Sequence, residues 1–124
     1  MDGIVQAVAA RRAMAEALFD QLRQDGLDEP GVSRDPYGAG EQRAHATVRR
    51  AAEALGLEIV GDAAANMYMT WPGEDRAAPA VVIGSHLDSV PHGGNSTGRR
   101  AWWRGLPRSP RCKAWACDRA AMWW

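Results

Sequence analysis

The sequence predicts an α/β protein with the element order ααβββ, as expected for the opening segment of a mixed-sheet α/β catalytic domain. Two stretches of helical periodicity followed by three short strand-like runs carry that expectation. The last run, Ala80 to Ser85, is almost continuously apolar, as befits a strand covered on both faces. In order, Val8, Met14, Ala15, Leu18, Phe19 and Leu22 share one helical face, and Gly26 ends the run. Asp28 to Gly40, with Pro30, Pro36 and three glycines, reads as loop. A second helix is expected from about Glu41 to Leu55, with Ala44, Val48, Ala51, Ala52 and Leu55 as its apolar stripe and Gly56 as its stop. Leu57 to Val60, Ala65 to Trp71 and Ala80 to Ser85 read as strands. The first two join around Gly61-Asp62, the last two around Pro72-Gly73-Glu74-Asp75. Tyr68 and Trp71 are assigned to strand packing, and His45 to a solvated helix surface.

The net charge of zero over 124 residues hides a break in composition. Met1 to Gly98 holds 8 basic and 14 acidic residues, whereas Arg99 to Trp124 holds 7 basic and 1 acidic, together with five of the six tryptophans. Two such unlike parts do not read as one evolved domain. Residues 1–94 are therefore assigned to the N-terminal part of the catalytic domain, and 95–124 to an aberrant Arg/Trp-rich tail expected to be disordered. Cys112 and Cys117 fit neither a zinc ribbon nor a Cys-x-x-Cys redox pair and are read as incidental. Ile4 to Ala10 is short, lacks preceding basic residues and runs on into a charged amphipathic pattern, unlike a signal peptide. No segment has the length and apolarity of a membrane span, so a cytoplasmic location is the default expectation.

Chemistry concentrates in Val81 to Gly94, where an apolar strand runs into a His-x-Asp pair and a glycine turn. Residues i and i+2 of an extended chain share a face, so His86 and Asp88 can converge while Leu87 packs on the other side. A neutral imidazole is a good ligand for zinc, and a carboxylate on its second ring nitrogen fixes the tautomer. On this spacing His86 is a candidate metal ligand and Asp88 its orienter, with a solvated loop or a capped strand end as the alternative. Gly93-Gly94 is expected to turn with positive φ and to allow close backbone approach. His92 reads as a loop histidine, with a pocket-lining role as the alternative. Arg34 is open to two readings, a bidentate clamp on a substrate carboxylate or a structural salt bridge.

The string Gly84-Ser85-His86-Leu87-Asp88-Ser89-Val90-Pro91 with Gly93-Gly94 closely resembles the first metal-ligand motif of the zinc-dependent hydantoinase/carbamoylase amidases. These comprise the N-carbamoyl-L-amino-acid hydrolases, β-ureidopropionases and allantoate amidohydrolases, within the two-metal aminoacylase/carboxypeptidase-type hydrolases. Gly31-Val32-Ser33-Arg34 is similar to the family's Gly-Val-Thr/Ser-Arg segment, although Asp35 stands where an apolar residue is common. Asp62 and Asn66 are similar to its Asp-x-x-Gly-Asn stretch, with Ala65 in the place of the glycine. The resemblance covers roughly Ala7 to Gly94. It implies hydrolysis of a linear amide or ureido C–N bond by water activated between two zinc or manganese ions. It also implies a small-molecule substrate and a homodimeric parent, with His86 a terminal ligand and Asp88 the catalytic carboxylate that orients it. No substrate-binding residue is assigned.

The family pattern continues after the double glycine with one residue, an aromatic, and then Asp-Gly, whose Asp bridges the metals. Thr97 stands at that bridging position, and two ions roughly 3.5–4 Å apart need a carboxylate between them. The family's Glu pair and two further His ligands are not found, so the chain is expected to be inactive and to bind at most one metal weakly. A frame change accounts for the break. Fourteen arginines to one lysine indicate a GC-rich gene, and restoring a T after the codon for Asn95 permits Phe-Asp-Gly-Pro-Pro-Gly-Val-Val-Ala-Gly over Ser96 to Gly105. The alternative is a non-enzymatic product whose basic, Trp-rich tail binds nucleic acid or an anionic membrane. The frame change is preferred, with neither nucleic acid nor membrane as partner.

Overall fold

In the computed structural model, which describes residues 2–95 and 120–123, the first periodic segment forms α1, Asp2–Asp25. Ala15, Leu18 and Leu22 are buried along it, with Met14 packed against them. After Gly26 come two short strands, β1 (Leu27–Asp28) and β2 (Gly31–Arg34), and then α2, Ala39–Ala54. Ala44, Thr47, Val48 and Ala52 are buried on α2, while Ala51 and Leu55 lean on the same core. Gly56 ends the turn beyond it with φ 75°, a conformation that costs a side chain-bearing residue energy.

Five more strands follow: β3 (Glu58–Gly61), β4 (Met67–Trp71), β5 (Val81–Gly84), β6 (Ser89–Gly93) and β7 (Ala120–Trp123). They make two sheets, β1-β2-β6 and β3-β4-β7-β5. β3 and β4 form an antiparallel hairpin in which Glu58 faces Thr70 and Gly61 faces Met67. β7 lies antiparallel to β4 and parallel to β5. Along β4 the period of two puts Met67, Met69 and Trp71 toward the helices, where they join Leu18, Leu22, Val48 and Leu87 in one core.

Three expectations need correction. The segment from Asp28 to Gly40 is not all loop, because Gly31–Arg34 pairs with β6, more than fifty residues away, and Leu27–Asp28 pairs with Gly31 and Val32. Pro30 and Gly31 are local stop signals, and the distant partner overrides them. The order ααβββ therefore gains β1 and β2 between the helices and β6 after the His-x-Asp segment. Ala120–Trp123 forms a strand where no regular structure was expected, its backbone pairing with both β4 and β5. Residues 96–119, with Thr97 and both cysteines, lie outside the described residues. Among the described residues, no helix is long and apolar enough to cross a membrane.

Candidate functional site

β5 delivers the chain at Gly84 to a short irregular segment, Ser85 to Asp88, before β6 begins at Ser89. Leu87 is buried in the core under this segment. That anchor turns its two neighbours the other way, so His86 and Asp88 stand with side chains 55% and 33% exposed. His86 Nδ1 lies 2.7 Å from Asp88 Oδ1. An ionised carboxylate can only accept, so a neutral imidazole in this contact would carry its proton on Nδ1 and keep the Nε2 lone pair for another partner. A hydrogen bond of this kind holds the ring plane as well as the tautomer. The pair can thus offer one oriented nitrogen donor to a cation. Among the described residues, no three His, Cys, Asp or Glu side chains converge to complete such a site.

The segment is held from beneath by Arg34, which is 1% exposed at the end of β2. Its Nε–H donates to the Leu87 carbonyl at 2.7 Å and Nη1–H to the Leu22 carbonyl at 3.2 Å. Its backbone N–H donates to Ser89 Oγ at 3.0 Å, and Ser89 Oγ–H in turn donates to the Val32 carbonyl at 3.3 Å. Burial pushes the Arg34 pKa down from its ordinary value, with the charges of Asp88 and then Asp25 opposing the shift. Neither reading of Arg34 drawn from the sequence describes this arrangement. The guanidinium is spent on backbone carbonyls inside the fold, and among the described residues no carboxylate comes within salt-bridge distance of it.

The remaining histidines are placed elsewhere. His92 lies within β6 and makes its contacts with β2 and β1: its backbone N–H donates to Ser33 Oγ at 2.9 Å and Nδ1 lies 3.2 Å from the Asp28 carbonyl. Ser33 Oγ–H also donates to Asp28 Oδ2 at 2.6 Å. The left-handed residue of this segment is His92, φ 53°, and not Gly93 or Gly94 as expected. Gly93 is needed instead for close approach, since a Cβ there would lie 2.8 Å from the Val90 carbonyl oxygen. His45 is half-buried on α2 beside Glu41 rather than fully solvated; burial lowers its pKa and Glu41 opposes the shift. Sequence reasoning missed the anchoring role of Arg34. The available signal was its place two residues after Val32 in an alternating segment, on the face that proves buried.

Comparison with known proteins gives one consistent set of relatives. The chain matches no family model. It is 33% identical over 87 residues to the N-carbamoyl-L-amino-acid amidohydrolase of Paenarthrobacter aurescens, covering 68% of this chain and 21% of that protein. It is 41% identical over 83 residues to the N-carbamoyl-L-amino acid amidohydrolase of Geobacillus stearothermophilus, covering 64% of this chain and 20% of that one. The crystal structure of a hydantoinase/carbamoylase family amidase from Burkholderia vietnamiensis superposes with a TM-score of 0.77 at 26% identity, over 90% of this chain and 28% of the other. The chain spans about a fifth of the length of the curated relatives it matches. Binding of nucleic acid or a membrane by the tail finds no support among these relatives, and the tail's side chains lie outside the described residues.

Proposed function

The chain is a relative of the hydantoinase/carbamoylase family amidases, corresponding to their N-terminal part, and on that premise we propose that its His86–Asp88 pair is one arm of a divalent-metal site for hydrolysing a linear amide or ureido C–N bond. The observation that carries this reading is the 2.7 Å contact between His86 Nδ1 and Asp88 Oδ1 just beyond a parallel strand, with the imidazole more than half exposed. A bound zinc or manganese ion would supply Lewis acidity and an acidified water. His86 Nε2 would hold it, and Asp88 would keep the ring neutral at that nitrogen and fixed in direction. N-carbamoyl-L-amino acids are the substrates in the names of the Paenarthrobacter and Geobacillus relatives, and the proposal takes that class for the parent activity.

As a separate polypeptide of 124 residues, the chain is proposed to be inactive and to bind zinc weakly at a single site. One imidazole cannot place a nucleophile, a base and a substrate together. Calorimetric titration with zinc, paired with an assay of N-carbamoyl amino acid hydrolysis, tests this directly. Weak binding lost in His86→Ala, with no turnover, is the expected result; metal-dependent turnover abolished by His86→Ala would overturn the inactivity. The proposal keeps the frame change as the origin of Ser96 to Trp124, supported by the break in charge and tryptophan content. Sequencing the gene decides that part, since a family-like continuation must stand in a neighbouring frame.

A further inference from the structure

We infer that Arg34 is a positioning residue for the His86–Asp88 arm, acting through the Leu87 carbonyl. This rests on the metal-arm reading above and extends it to a residue that touches neither member of the pair by hydrogen bond. The argument begins with the peptide plane. The carbonyl of Leu87 belongs to the rigid unit joining Leu87 to Asp88, so fixing its direction fixes the plane from which the Asp88 backbone departs. Two anchors act on that unit from different sides: the Leu87 side chain in the core and the Arg34 Nε–H on the carbonyl. A third holds the next residue, because the Arg34 N–H is bonded to Ser89 Oγ. Asp88 thus sits between two positions tied to the same arginine, and its carboxylate in turn sets the His86 ring.

The guanidinium is itself held at its far end. Nη1 bonds the carbonyl of Leu22, one of the last four of α1, which have no partner within the helix. Gly26 leaves room for it: a Cβ there would lie 3.0 Å from both Cγ and Nη1 of Arg34. Lysine could not replace this arrangement, since one ammonium on a flexible stem does not offer two directed donors to carbonyls on different elements. A buried cation is costly, and here its partners are neutral carbonyls, with Asp88 and Asp25 acting only through space. An arginine needed for packing alone would not require a carbonyl of the ligand segment as its nearest acceptor.

The test uses the full 124-residue chain, labelled with nitrogen-15, free of metal and at pH 8. The ring-nitrogen shifts of His86 report how strongly the Nδ1–H tautomer is preferred, a quantity that loss of packing elsewhere does not move. Arg34→Met is expected to erase that preference while leaving the His92 ring signals in place, and to weaken zinc binding by about tenfold or more, as for other groups that orient a metal ligand. Gly26→Ala keeps the arginine but presses a methyl group on its Cγ and Nη1, so the guanidinium must shift by a few tenths of an ångström, and a smaller His86 shift in the same direction is expected. It decides the matter if Arg34→Met does not fold. A His86 tautomer unchanged in the folded variant overturns the inference. If the tautomer follows Arg34 but wild-type chain takes up no zinc, the metal reading fails and the positioning role stands. If zinc binds and neither variant alters tautomer or affinity, the positioning role fails alone.

Discussion

Asp62 and Asn66 lock the turn between β3 and β4 from both ends of the carboxylate: the Asn66 backbone N–H donates to Asp62 Oδ1 at 2.9 Å and its Nδ2–H to Oδ2 at 2.8 Å. Ala64 N–H and the Tyr68 hydroxyl add to the same group. The Asn66 side-chain hydrogen bond, foremost among these, holds the Asp62 pKa below its ordinary value. A depressed folded-state pKa gives stability that is present above the unfolded value near 3.9 and is lost as pH falls through the folded value. Asp62→Asn should therefore lower the melting temperature at pH 7, and the gap from wild type should close as the pH is taken below about 4. Melting curves at the two pH values check it; a gap that persists in acid would show that the charge is not responsible.

Within the same turn Ala65 holds φ 65°, a region that a residue with a Cβ enters at a cost of roughly 1–2 kcal/mol. Ala65→Gly relieves that cost but gives the unfolded chain more freedom. The net expectation is a gain of about 0.5–1 kcal/mol in urea unfolding. A loss would mean that the methyl group makes a contact worth more than the backbone strain.

The parts of this molecule that could be read from sequence are those whose causes are local. Leu87 between His86 and Asp88 is an alternation visible in three letters, and the helix stripes of Leu18–Leu22 and Ala44–Val48 repeat within a turn. Ala65, expected to open a strand, instead takes a left-handed φ of 65° in the turn before β4. What escaped depends on partners far along the chain. β2 exists because β6 lies beside it, and Arg34 is buried because carbonyls from Leu22 and Leu87 meet it there. A charged residue at the inward position of a four-residue strand disguises the alternation that would have revealed it. His92 was harder still, since its left-handed backbone is secured by Ser33 and Asp28, neither of them near it in sequence.

Core and surface positions of the β3–β4 hairpin should respond very differently. Met69 is 0% exposed and sits where both helices meet the sheet, so Met69→Ala leaves a cavity and is expected to cost about 2–5 kcal/mol. Val60, one strand away, is 63% exposed, and Val60→Thr should stay within about 0.5 kcal/mol. Denaturant titration of both variants is the check, and similar losses at the two sites would contradict the placement of the core.

β7 is the only described link in hydrogen bonding between β4 and β5, in the order β3-β4-β7-β5. Deleting Ala120 to Trp124 would leave β5 without a neighbour in that sheet and open an edge on β4. Amide exchange should then lose protection at Val81–Gly84 while the β3–β4 hairpin keeps its own, and the urea midpoint should fall. An unchanged midpoint with unchanged exchange would show that β5 does not depend on β7.

Removing the charge of Asp88 tests the central pair without disturbing the core. Asp88→Asn keeps the side-chain size and an oxygen acceptor, and its partly exposed position leaves the packing of Leu87 intact. A neutral amide oxygen is a weaker acceptor than a carboxylate for the His86 Nδ1–H, so the ring loses both basicity at Nε2 and fixed direction. Zinc affinity should drop by about 10–100-fold, with far-UV dichroism and melting temperature close to wild type. His86→Ala should abolish what binding remains, because it removes the donor itself. Equal affinity in wild type and Asp88→Asn would mean that the 2.7 Å contact serves only the loop's conformation and that the cation is held elsewhere.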